Sequence, residues 1–195
     1  EIDRWALAKY AECDERIITA YDDYDYAAVF QAANTFITVD VSAFYVDVTK
    51  DRMYTFGAKS EARRSGQTAM LAIVDGLARL LAPVLSVTMD ELWQTLPGPR
   101  LPSVHLALFP MGEETARVRD PGLVARWAAL SAVRDEVNLA LEQKRQEQVI
   151  RANLSAQVRI EADGEEGRLL AAYRDFLPTL FGVSHVELHI GAADG

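Results

Sequence analysis

A chain of 195 residues, half of them hydrophobic and a quarter charged, carries enough apolar side chain for a buried core in one or two domains. A single cysteine, Cys13, excludes an internal disulfide framework and a cysteine-based zinc site. The net charge of −9 argues against a generically basic nucleic-acid binder, but not against a local basic surface.

No apolar run approaches the ~18 residues a membrane helix needs, and the opening Glu-Ile-Asp-Arg is no signal peptide. The reducing cytoplasm is the expected compartment, with no membrane partner. The missing initiator Met fits a piece of something longer. Charge is unevenly spread. Glu12, Asp14, Glu15, Asp22, Asp23 and Asp25 crowd the early chain, whereas residues 50–64 carry Lys50, Arg52, Lys59, Arg63 and Arg64 against Asp51 and Glu61. A solvated loop would look the same.

Residues 3–24 are predicted helical, with Trp5, Ala8, Ala11 or Cys13, Ile17 and Ile18 on one face. A second helix is expected from Asp25 to Arg52. Its β-branched stretch 35–41 could pass for a strand, but Val41, Phe44, Tyr45 and Val48 keep three- and four-residue steps. Ser60 would cap a third helix running to residue 82, stopped by Pro83. Thr88-Met-Asp-Glu91 has the form of a capping box opening a short helix through Trp93. Residues 97–110 are proline-rich and read as an extended connector. Asp120-Pro121 then opens a long helix with the stripe Leu123, Trp127, Leu130, Val133, Val137 and Leu141. Beyond Ile150, a strand over 156–160, a helix over 165–176 and a strand over 185–190 are predicted. The fold class is therefore mainly α: a helical bundle over 1–110, then a long helix and a small α/β subdomain over 111–195.

The sequence offers little catalytic chemistry. It has no glycine-rich phosphate loop. His185 and His189 would lie ~13 Å apart along a strand, too far to share a metal, and Asp22, Asp23 and Asp25 look like a solvated helix end. No catalytic residue and no metal ligand is assigned.

A resemblance carries the functional reading. The stretch from Val39 to Tyr54, containing Ser-Ala-Phe-Tyr and Lys-Asp-Arg-Met-Tyr, resembles the anticodon-domain segment of isoleucyl-tRNA synthetases of the bacterial type. Asp3-Arg-Trp-Ala-Leu7 is similar to the start of that family's first bundle helix. Leu80-Leu-Ala-Pro-Val-Leu85 and Thr88-Met-Asp-Glu-Leu-Trp93 look like patterns shared across related class I enzymes, including the valyl, leucyl and methionyl ones. Ser103-Val-His-Leu106 and Phe109-Pro110 fit the exit from the bundle. Looser likenesses follow over residues 133–142 and 153–158. His189-Ile-Gly-Ala192 matches the His-Ile-Gly-His tetrad of class I synthetases at three positions, but it closes a predicted strand, so it is set aside as coincidence.

The resemblance implies a bundle that holds the anticodon stem-loop of isoleucine tRNA and works beside the catalytic domains of the same polypeptide. It implies no cofactor in this chain, with ATP, Mg and Zn belonging to the intact enzyme. Such a bundle needs cations for phosphates and planar groups for unstacked bases. Lys50, Arg52, Arg63 and Arg64 are the phosphate candidates, Tyr45 and Tyr54 the stacking candidates, and Asn34 and Gln67 the base-edge candidates. Phe44 and the three tryptophans read as core, while Tyr45 could equally bury its ring. Arg134, Asn138, Lys144, Arg145 and Arg151 form a second candidate RNA surface, or an ordinary solvated helix face. The chain alone is expected to bind RNA weakly and to catalyse nothing. A valyl or leucyl relative, or a helical protein-interaction module, are the competing readings.

Overall fold

The computed structural model describes residues 1–110 and 112–191; the final residue of the His-Ile-Gly-Ala tetrad lies outside them. The chain divides into two compact units, Glu1–Val124 and Ala125–Gly195. The division falls inside the long helix rather than at residue 110.

In the first unit, α1 (Ile2–Asp22) is the central helix. It buries Trp5, Ala8, Ala11, Cys13 and Ile17, as the apolar spacing predicts, and also Ala6, Tyr10, Asp3 and Asp14. So wide a buried face needs several partners, and α1 meets α2, the π-helical segment, α4 and α6. The chain turns back at Tyr24, which takes a left-handed φ of 58°. Then α2 (Tyr26–Thr35) starts from Asp25, whose carboxylate accepts from Ala28 N at 3.0 Å. The β-branched stretch is helical, as expected, but it is a π-helix over Phe36–Val46 before α3 (Asp47–Thr55) resumes. The π-helical segment buries Phe36, Phe44 and Tyr45, and Val48 and Thr49 of α3 continue the buried face.

Together, Tyr26–Thr55 make the one described helix long and apolar enough, by length and composition, to cross a membrane. This corrects the expectation that no segment would qualify. Val29, Ala33, Phe36, Phe44, Tyr45 and Val48 on this helix are buried. Phe44 and Phe36 pack their rings against Trp5 and Tyr10 of α1, centroids 4.7 and 6.2 Å apart.

Helix α4 (Glu61–Leu81) runs parallel to α1. Ser65 reaches Asp3 at its start, and Tyr21 Oη donates to Leu80 O at 2.8 Å near its end. Gly76 permits this approach, since a Cβ there would sit 1.8 Å from Tyr10 Oη. Helix α5 (Ser86–Thr95) starts at Ser86, so Thr88 is not its cap. Asp90 of the supposed capping box instead accepts from Ser103 Oγ at 2.6 Å and Val104 N at 2.9 Å, pinning the connector. Those bonds hold its carboxyl below the usual range. Trp93 Nε1 donates to Leu101 O at 2.8 Å, and Arg100 lies over its ring. The connector holds a 3-10 turn, Val104–Leu106, and α6 (Gly112–Ala116) follows. Asp120 caps α7 (Pro121–Gln146), accepting from Leu123 N at 3.0 Å.

In the second unit, Trp127, Leu130, Val133, Val137 and Leu141 of α7 are buried. Trp127 meets Tyr173 and Phe176 edge-on. Strands β1 (Gln157–Ala162) and β2 (His185–Ile190) pair in parallel, Gln157 opposite His185 and Ala162 opposite Ile190. The crossover holds α8 (Gly164–Ala172) and α9 (Leu177–Phe181), which bury Leu170, Leu177, Leu180 and Phe181.

Candidate nucleic-acid interface

The basic stretch becomes a corner, formed by the end of α3, residues 56–60 and the first turns of α4. Tyr54 is 86% exposed and Phe56 47% exposed. Arg64 and Gln67 are exposed on α4, as is Lys59 before it. Arg64 and Lys59 make no ion pair among the described residues. Arg63 is half-buried and donates to Phe56 O at 2.8 Å, so it staples the corner from within. Lys50 is exposed but pairs with Asp47 at 2.7 Å. The corner offers two aromatic faces and at least two uncompensated cations, the combination single-stranded RNA needs.

Two candidates are corrected. Tyr45 is fully buried, and its hydroxyl donates to Asp3 Oδ1 at 2.6 Å. Its ring cannot stack on a base, and burial with the Asp3 bond pushes its phenol pKa up. Arg52 is also turned inward. Its side chain is 16% exposed and pairs with Asp3, so it cannot reach a phosphate. Asn34 is exposed on α2, but 16 residues before Lys50, ~20 Å along the helix, so it does not join the corner.

The second candidate surface is largely compensated. Arg134 Nε donates to Leu180 O at 3.0 Å, Lys144 pairs with Glu147 at 2.6 Å and Arg145 pairs with Glu142. Asn138 is half-buried, and only Arg151 is exposed without a described ion pair.

Sequence reasoning missed Phe56 as a member of the corner and Asp3 as its anchor, and it counted Lys59 in the basic stretch without naming it a phosphate candidate. Asp3 sits 49 residues from Arg52 and 62 from Ser65, so no local pattern linked them. Its one local sign was a carboxylate on an apolar helix face. Among the described residues, no group of three or more His, Cys, Asp or Glu side chains is arranged to hold a metal. Cys13 is 4% exposed, and burial and nearby Asp14 push its thiol up to about 12, which makes it a poor zinc ligand.

Residues 3–160 match the family described as the anticodon-binding domain of tRNA ligase. The isoleucine--tRNA ligase of Syntrophotalea carbinolica is 46% identical over 196 residues, covering 100% of this chain and 21% of that protein. That of Geobacter sulfurreducens is 42% identical over 195 residues, again 100% of this chain and 21% of the protein. That of Halorhodospira halophila is 42% identical over 193 residues, 96% of this chain and 20% of the protein. The chain therefore spans about a fifth of the length of these relatives. With an exposed aromatic and cationic corner on a helical bundle, and a family match over residues 3–160, the chain belongs to the anticodon-binding domains of tRNA ligases.

Proposed function

We propose that this chain is the anticodon-recognition part of an isoleucine--tRNA ligase and that the α3–α4 corner grips the anticodon stem-loop of isoleucine tRNA. The observation that carries the reading is the corner: Tyr54, Phe56, Lys59 and Arg64 stand exposed together on a domain of this family. Lys59, Arg64 and, beyond its pair with Asp47, Lys50 would meet phosphates. Tyr54 and Phe56 would stack on unpaired bases, and Gln67 would reach a base edge. The full-length relatives, all isoleucine--tRNA ligases, favour isoleucine over valine or leucine tRNA.

ATP-dependent attachment of isoleucine is then the job of the intact cytoplasmic enzyme, with ATP, Mg and Zn handled outside this chain. The opposite end of the bundle exposes Tyr24, Tyr26 and Phe30 beside Asp22, Asp23 and Asp25. That chemistry repels phosphate and suits contact with the ligase's catalytic domains. Salt-titrated binding to isoleucine tRNA, with an anticodon-swapped tRNA as control, tests the reading. Binding that depends on the anticodon and falls steeply with salt supports it. Equal binding to both tRNAs refutes it.

A further inference from the structure

Asp3 is 7% exposed in the first turn of α1. Its Oδ1 accepts from Tyr45 Oη at 2.6 Å and from Arg52 Nη2. Its Oδ2 accepts from Arg52 Nη1 at 3.2 Å and from Ser65 Oγ at 2.6 Å. The donors come from the π-helical segment, α3 and α4, so one carboxylate on α1 ties three other segments together. The tie brackets the corner, with Arg52 two residues before Tyr54 and Ser65 immediately after Arg64. Gly66 makes room for it, because a Cβ there would lie 3.1 Å from Arg52 Nη2 and from Met53 Sδ.

We infer that Asp3 is a positioning residue for RNA recognition: by holding Arg52 and Ser65 it fixes the corner that presents Tyr54, Phe56, Lys59 and Arg64. The inference rests on the corner being the RNA-contacting surface proposed above. A chain already ordered before binding loses less entropy on binding, so its affinity rises without any added contact. Asp3 itself touches no RNA. A buried carboxylate whose lone pairs are all used has geometry to give and no reach.

The test has two arms. In the first, RNA is absent and a spin label is placed at exposed residue 58 through Ala58→Cys; Cys13 is buried and does not compete. Asp3→Asn is expected to raise label mobility while helix content stays unchanged. In the second, the unlabelled chain binds an anticodon stem-loop RNA of isoleucine tRNA. Asp3→Asn is expected to weaken binding about tenfold, although it removes a negative charge from an acidic protein. Bulk electrostatics gives the opposite sign. The salt slope should not change, because no phosphate contact is lost.

Ser65→Ala removes one donor and no charge, and should weaken binding about two- to threefold if Asp3→Asn proves unfolded. An unchanged label, or Asp3→Asn binding as tightly as the parent chain, overturns the inference. So does Arg52→Gln lowering the salt slope by about 0.7 to 0.9, since Arg52 would then contact phosphate itself. If the parent chain binds no RNA while the label still loosens, the functional proposal fails, and Asp3 is then only a packing tie.

Discussion

A buried carboxylate is stable only when its lone pairs are occupied, and Asp3 shows how that condition fixes the behaviour of its neighbours. Burial, the largest influence on it, raises its pKa, but the bonds from Arg52, Ser65 and Tyr45 together outweigh burial and leave it below its ordinary value of 3.8. The unfolded carboxyl therefore takes up a proton before the folded one does. The stabilisation is present above about pH 4 and is lost as pH falls through the lower folded value. Asp14 and Asp40 are shifted the other way, chiefly by burial, so the Asp3 contribution is the difference between the parent chain and Asp3→Asn. Urea unfolding across pH 2 to 5 should show the parent losing more stability than the variant; parallel curves would refute the sign. Tyr45→Phe keeps the ring and deletes one donor. It should cost about 1–2 kcal/mol in the same assay at neutral pH.

At the level of elements, most of the bundle was legible from periodicity. The helices over Ile2–Asp22 and Glu61–Leu81 and both strands appear where apolar spacing placed them, and Asp120 caps α7 as the Asp-Pro pair predicted. The short helices Gly112–Ala116 and Leu177–Phe181 were not read, because five residues are too few to show a period. The Thr88 capping box failed because the helix already begins at Ser86, which puts Thr88 inside its first turn.

The two misplaced candidates, Tyr45 and Arg52, share one face of the helix that runs from the π-helical segment into α3. Tyr45, Val48 and Arg52 stand three and four residues apart and turn inward together, the last two from α3. Sequence spacing put Tyr45 on the apolar face without deciding between core and stacking, and Arg52 was nominated for its charge alone. Deleting exposed Val39 would rotate everything after it by roughly a quarter turn and carry Arg52 away from Asp3. The loss of that partly buried pair, about 3 kcal/mol, should lower the melting temperature by about 10 °C. A melt within 2 °C or so of the parent would show that the π register does not matter.

Across the whole molecule, charge sorts the surfaces that composition could not. The net −9 conceals a bundle whose two ends differ. Asp22, Asp23 and Asp25 gather at the far end of α1, ~30 Å along the helix from the corner with Lys59 and Arg64. Diffusing RNA is steered by the local field more than by the sum, so an acidic protein can still bind at one end. The second unit lacks this advantage, because Lys144 and Arg145 are matched by Glu147 and Glu142 within a turn. Charge reversal separates the two surfaces. Arg64→Glu should weaken binding of isoleucine tRNA at least tenfold and lower the salt slope by about one, as expected for a lost phosphate contact. Lys144→Glu makes the same change in net charge, yet it should alter affinity by less than about twofold, because it replaces one member of an exposed, already neutralised pair. Equal losses in the two variants would mean that RNA spans both units or answers only to total charge. A loss confined to Lys144→Glu would move the interface off the bundle and onto α7.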